Sequence, residues 1–310
     1  MDLEQINDEY DVVVLGGGAA GLNGALMLVR SRRSVLVIDA GTPRNAPADG
    51  VHGLLGHDGI PPAELVARGR AEVTGYGGHV VTAEVVSAER DGTRFLLSLA
   101  GGRVVRARRL LVATGLLDEL PDVPGLRERW GRDVVHCPYC HGWEVRDRAI
   151  GVLATGPRAA HQALLFSQLS DDVTLLSHTG PRPTEEELRQ LAARGVRVVD
   201  GEVARVSVTD DAIDGVALAD GTVLPVQAVV VSSRMAARTA ALEGLGLEAV
   251  EHPSGAGEHL PADSMGRTDV PGVWAAGNVT DLMAQVGASA AAGAAAGAQI
   301  NYDLIVEDAG

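Results

Sequence analysis

Two strand–turn–helix units predict an α/β protein of two domains, each built to bind a dinucleotide. Residues 10–15 (YDVVVL) are a continuous apolar run, the pattern of a strand buried in a parallel sheet, and they lead straight into a glycine-rich turn. Residues 150–153 (IGVL) begin a second unit, and residues 109–112 and 272–278 add further strand-then-glycine segments. A chain of 310 residues has room for two domains of about 100 to 200 residues each.

The first turn reads Gly16-Gly17-Gly18-Ala19-Ala20-Gly21, followed by a helix over 23–30 and a second strand over 34–38 that ends in Asp39. Gly16 permits the tight turn, Gly18 lets backbone approach a pyrophosphate, and Gly21 lets helix and strand pack closely. The pyrophosphate would rest on amides at the helix start, around Ala19 and Ala20, with Asp39 accepting hydrogen bonds from an adenosine ribose. Downstream, residues 109–112 run into Ala113-Thr114-Gly115, and residues 272–276 into Gly277-Asn278. Gln285 and Val286 then open a helix of small residues, 285–299. Its positive end would stabilise charge on a reduced flavin, or its small residues serve close packing; their size alone does not decide.

Both cysteines of the chain fall in one loop, His136-Cys137-Pro138-Tyr139-Cys140-His141. A vicinal pair at this spacing closes a small disulfide ring, and its first thiolate is commonly acidified enough to act as a nucleophile. A structural zinc needs four ligands, usually from two such pairs, and there is no second pair, so no metal site is expected.

Composition narrows the chemistry further. The hydrophobic content is 46% with only 3 Trp, 4 Tyr and 2 Phe, so the core is built from Val, Leu and Ala. All 26 basic residues are arginines, which excludes a Walker lysine and a Schiff-base lysine. A net charge of -15 argues against nucleic acid or an anionic membrane as partner. Residues 1–5 lack the features of a signal peptide, and the longest apolar run, 286–298, is too short to span a membrane. The expectation is a soluble cytoplasmic protein, in which a CxxC cycles rather than staples. Arg103, Arg106, Arg108 and Arg109 read as a solvated face, and Thr184 with Glu187 as the capping box of a surface helix over 184–194.

The ordered set GGGAAG, ATG, CPYCHG and AAGNVTD resembles the low-molecular-weight thioredoxin reductase family of FAD-dependent pyridine nucleotide-disulfide oxidoreductases over essentially the whole chain. The resemblance implies two Rossmann-like domains: a discontinuous FAD domain, residues 1–117 and 245–310, interrupted by an NAD(P)H-like domain, residues 118–244, that carries the CxxC. It further implies FAD as cofactor, a homodimer, Cys140 as the flavin-proximal sulfur and Cys137 as the interchange thiol. The chain departs from the family in three places. His141 replaces an acid, Asn278 replaces the ribityl-binding Asp while keeping an acceptor, and Ala284 replaces the arginine that precedes Gln285.

The second nucleotide turn is damaged. Ala154-Thr155-Gly156-Pro157-Arg158 keeps one of the usual glycines, and Ser177-His178-Thr179 lacks the arginines with which NADPH users grip the 2′-phosphate. Family members with this combination resemble the dithiol oxidases that close disulfides in products such as gliotoxin and holomycin. On that reading a small-molecule or peptide dithiol reduces the Cys137–Cys140 disulfide, and electrons pass through FAD to oxygen with release of hydrogen peroxide. His141 would accept the proton of an incoming thiol. His136 is a second candidate, or a packing residue. The alternatives are an NADPH-dependent thioredoxin-disulfide reductase and a flavin/disulfide redox sensor without turnover. CPYC is also the glutaredoxin tetrapeptide, but its place after a full nucleotide-binding half-domain discards that reading. His52, Gly53, Gly56 and His57 form a loop that the resemblance places near the flavin, as packing or solvent-facing residues.

Overall fold

The computed structural model describes residues 3–310 and divides into two compact units. The first comprises Met1–Ala46, Ile60–Leu117 and Met235–Gly310, and the second Pro47–Gly59 and Asp118–Arg234. The chain therefore returns to the first unit about ten residues before the expected position at 245. The cause is the 3-10 helix Ala240–Leu245: Leu242 is fully buried in the first core, and a Cβ on Gly244 would lie 2.8 Å from the Ala88 carbonyl oxygen. The segment Pro47–Gly59 groups with the second unit, where Pro47 packs so close that a Cβ on Gly131 would meet its Cβ at 2.6 Å.

In the first unit a parallel sheet runs His79–Thr82, Val35–Asp39, Glu9–Leu15, Val104–Val112. The last of these strands then splits its pairing. Its first half pairs antiparallel with Arg94–Leu99, and its second half pairs parallel with Val273–Ala275. Period-two alternation sends Val13 and Leu15 to one core with Phe95 and Leu110, and Val12 and Val14 to the other with Leu28, Leu111 and Ile300. The second core is closed by two helices, Ala19–Arg30 and Val286–Asp308. A Cβ on Gly293 would lie 1.9 Å from the Ala20 carbonyl oxygen, and one on Gly297 2.6 Å from that of Gly24, so close packing accounts for these small residues. Of the arginine cluster, Arg106 is exposed as expected, whereas Arg108 and Arg109 are largely covered. Arg109 bonds Asp303 at 2.6 Å and Arg108 bonds Asp11 at 2.9 Å and Glu307 at 3.1 Å, tying the C-terminal helix to the interior strand Val104–Val112.

The second unit holds a five-stranded parallel sheet in the order Arg197–Val199, Val173–Leu176, Ile150–Leu153, Ala228–Val231, Val134–Val135. An antiparallel ribbon, Val203–Thr209, Ala212–Leu218 and Val223–Leu224, completes it. Helix Glu185–Ala193 begins with the expected capping box of Thr184 and Glu187. The short edge strand Val134–Val135 matters most for chemistry, because the CxxC follows directly from its end. No described helix is long and apolar enough to cross a membrane, and no group of three or more metal-ligating residues occurs among the described residues.

Candidate active site

Each unit carries one candidate centre. In the first, Gly16 ends the strand at φ +103°, a conformation open to glycine, and a Cβ there would lie 2.2 Å from the Ala113 carbonyl oxygen. A Cβ on Gly21 would lie 1.9 Å from the Gly16 carbonyl, so turn and helix pack backbone to backbone. Gly18 behaves differently: nothing lies within 4 Å of its would-be Cβ, and the helix of Ala19, Ala20 and Gly21 starts beside that open space. Thr114 presents a buried hydroxyl without a hydrogen-bond partner among the described residues, and Asn278 Oδ1 comes within 3.2 Å of the Cβ position of Gly115. Gly277 packs on Ala20, Gln285 caps the C-terminal helix and Val286 is its first residue.

An open glycine face at a helix start, an orphaned buried hydroxyl and an amide acceptor are what a bound FAD requires, so these residues fit the group. Ten of the residues expected from sequence converge here, from Gly16 through Asn278. Asp39 was expected to meet ribose and ends its strand as anticipated, but it is ion-paired with Arg70 of the helix Pro62–Gly75. Nothing in the sequence around Arg70 announces that role.

In the second unit Cys137 and Cys140 form a disulfide across a single turn of helix, Pro138–His141. The turn forms because Pro138 occupies the first helical position with its φ already set, while the Cys137 carbonyl accepts from His141 N–H at 3.1 Å. Gly142 is needed for the exit. A Cβ there would lie 2.2 Å from the Pro138 carbonyl oxygen and 2.3 Å from Leu169 Cδ1. His136 precedes the turn with its ring stacked on Trp130 at 5.6 Å, and its carbonyl accepts from Gln162 Nε2 at 2.6 Å. That arrangement matches the packing alternative for His136.

His141 is half-buried, and its Nε2 is buried without a hydrogen-bond partner among the described residues. Burial pushes its imidazole below the usual histidine range; Glu144 opposes this, His52 adds to it, and Asp49 opposes it. A neutral imidazole with an unused ring nitrogen has the equipment of a proton acceptor. Beside the turn lies a cavity of about 550 Å³, lined by Pro138 and Tyr139 between the cysteines, by Trp143, Glu144 and Leu169, and by His52, Gly53 and Asp58 of the loop Pro47–Gly59. His52 sits between two carboxylates, with Nδ1 3.4 Å from Asp58 and Nε2 3.4 Å from Glu144. Sequence reasoning singled out His52 without a partner and missed Asp58, Glu144 and Trp143. No motif marks them, because they meet only through the fold.

In the second nucleotide turn Gly156 keeps open space, but Ala154, at the place of the tight-turn glycine, packs against Gly180. A Cβ on Gly180 would lie 2.8 Å from both the Cβ and the carbonyl oxygen of Ala154. Ser177 donates to Asp200 at 2.8 Å, and His178, at φ 39°, accepts from the Val203 N–H at 3.1 Å. An acid, Asp200, stands beside the positions where a 2′-phosphate would need arginine, and it is itself ion-paired at 3.6 Å with Arg182, which lies outside the two family positions.

Comparison with known proteins agrees with this architecture. The model of the family described as pyridine nucleotide-disulphide oxidoreductase matches residues 10–297. The thioredoxin reductase tcpT of Claviceps purpurea is 32% identical over 308 residues, covering 96% of this chain and 95% of that one. Among solved structures, HlmI superposes with a TM-score of 0.91 at 47% identity, covering 98% of this chain and 95% of the other. An oxidoreductase from Agrobacterium tumefaciens gives 0.90 at 36% identity, covering 96% and 99%.

Proposed function

The chain belongs to the pyridine nucleotide-disulphide oxidoreductase family, an FAD-binding family, and from that premise we propose that it is a dithiol oxidase drawing electrons from a small-molecule or peptide dithiol rather than from NADPH. One contrast carries the reading. The first nucleotide turn keeps all three glycines and an open face at Gly18, whereas the second keeps only Gly156, has Ala154 packed on Gly180 in place of the tight-turn glycine, and engages Ser177 and His178 in bonds to the chain itself. With the nicotinamide route weakened, the disulfide is the remaining port for electrons.

The steps then fall to named residues. His141 takes the proton of one substrate thiol, and the thiolate attacks Cys137 Sγ. The Cys137–Cys140 bond breaks, Cys140 leaves as thiolate, and the substrate is held as a mixed disulfide. The second substrate thiol attacks the substrate sulfur of that bond as its proton passes to the departing Cys137 sulfur, releasing Cys137 as thiol and the oxidised product. The substrate loses two electrons and the cysteine pair gains them. Bound FAD supplies two-electron acceptance from a thiol pair and delivery to oxygen, with hydrogen peroxide as product. Gly18, Thr114 and Asn278 hold that cofactor, and a homodimer is the assembly expected from the resemblance.

Anaerobic mixing of the oxidised holoprotein with NADPH, NADH and a dithiol, followed by oxygen uptake, tests the reading. The dithiol should bleach the flavin within seconds and sustain oxygen uptake while the nicotinamides do neither. Rapid bleaching by micromolar NADPH would overturn it in favour of a disulfide reductase. One observation favours that second reading: Gly156 retains an open face, and Arg158 caps the following helix Ala159–Phe166.

A further inference from the structure

The cavity beside the disulfide has one apolar and one acidic side. Tyr139 and Trp143 are 69% and 65% exposed and stand with Pro138 and Leu169, so large apolar surface is left uncovered next to the redox centre. Its charged lining consists of Asp58 and Glu144 with His52 between them. No arginine lines it. Arg146, the nearest cation in sequence, stacks over the Trp143 ring at 4.1 Å and donates to the Trp143 carbonyl at 2.6 Å.

We infer that Asp58 and Glu144 are specificity-determining residues, which make this cavity select small apolar dithiols without negative charge and reject anionic thiols. The inference rests on the dithiol-oxidase reading and adds to it the charge class of the substrate. Whether His52 is neutral or protonated, two fixed carboxylates keep the lining net negative. A cavity of about 550 Å³ suits a ligand of small-molecule size, and the aromatic pair offers its ring or hydrocarbon portion a surface to cover. A substrate carboxylate seated in the cavity against Pro138 and Tyr139 would approach both acids at once. Asp58 is 70% and Glu144 38% exposed, so solvent screens the repulsion, which therefore amounts to about five- to tenfold in rate at low salt and shrinks as salt rises. Such discrimination would shield the flavin centre from abundant anionic thiols.

Dihydrolipoamide and dihydrolipoate form the matching probe pair, since they share the same two thiols and differ in one charge. With the holoprotein under anaerobic conditions, the protein thiols released per second measure entry into the disulfide independently of flavin reoxidation. The amide should react about five- to tenfold faster at low salt, and the ratio should fall toward one in 0.5 M salt, where the Debye length is about 4 Å. In the Asp58→Asn/Glu144→Gln double variant the ratio should fall below about twofold at low salt. Because each ratio compares two substrates on one protein, a general loss of rate in the variant leaves it readable. Equal rates on the native protein, failure of both probes to open the disulfide, or an unchanged ratio in the variant would each overturn the proposal. Oxygen uptake is scored separately: protein thiols released at the expected ratio without oxygen uptake would sink the oxidase reading and leave charge selection standing.

Discussion

Arg70, on the helix Pro62–Gly75, is ion-paired with Asp39, the acid that ends the strand Val35–Asp39 beside the first nucleotide turn. Both side chains are partly buried, at 31% and 15% exposure, and a Cβ on Gly17 would lie 2.8 Å from Asp39 Cβ. The guanidinium therefore orients the carboxylate at the place where sequence reasoning put the adenosine ribose. Arg70→Ala should weaken FAD retention by about tenfold and Asp39→Ala by more, because a charge-assisted bond of about 1.5–3 kcal/mol is lost. Fluorescence titration of the apoprotein with FAD measures both. Native affinity in both variants would remove Asp39 from the cofactor site.

Much of this architecture was legible in the residues. The run 10–15, the turn Gly16–Gly21 and the capping pair Thr184 and Glu187 are local signals, and local signals fix a strand, a tight turn and a helix start. The small residues of 285–299 left two readings, and the backbone contact of Gly293 with Ala20 accounts for the glycine there by close packing. Arg70, Asp58 and Glu144 were not legible because each acquires its meaning from a partner distant in sequence. The loop Pro47–Gly59 shows the same limit: its glycines and histidines mark a loop, but only tertiary packing sets His52 against Glu144.

A second ion pair, this one buried, supports the scaffold of the disulfide. Arg129 and Asp133 are 6% and 5% exposed and form two parallel bonds of 2.7 and 2.6 Å, with the Ile213 N–H donating to Asp133 at 3.0 Å. Burial alone would raise the Asp133 carboxyl, but Arg129 and the Ile213 amide outweigh it and hold the group below the usual carboxylate range. Arg129→Ala leaves that carboxylate buried without its cation and should cost about 3–5 kcal/mol. The pair's stabilisation is present above the unfolded carboxylate value, near 3.9, and is lost as pH falls through the depressed folded value. Urea unfolding of native and variant at pH 7 and pH 3 checks both parts: the gap between them should narrow in acid.

The two cysteines should separate by variant. Cys137→Ser leaves the Cys140 thiol but no disulfide for the incoming thiolate to attack, so dithiol-dependent flavin reduction should stop. Cys140→Ser leaves Cys137 free to be trapped by a disulfide-bearing product or thiol reagent, yet passes no electrons onward. Mass spectrometry after exposure to oxidised substrate should find the adduct on Cys140→Ser alone. An adduct on Cys137→Ser instead would reverse the assignment of the two sulfurs.

His141 supplies the pH test. Burial, aided by His52, holds its imidazole below the ordinary histidine value near 6.5, while Glu144 and Asp49 draw it upward. A base with a depressed pKa stays neutral, and so competent, at more acidic pH. The acid limb of dithiol turnover should therefore lie below about 6.5. Replacing Glu144 by Gln removes an upward pull, so the limb should move lower still, and Asp49→Asn should move it the same way. His141→Ala should abolish the limb and reduce the rate by about 100- to 10,000-fold. A rate profile of dithiol-dependent flavin reduction from pH 5 to 9 reads all three variants. If the limb persists in His141→Ala, another group takes the proton.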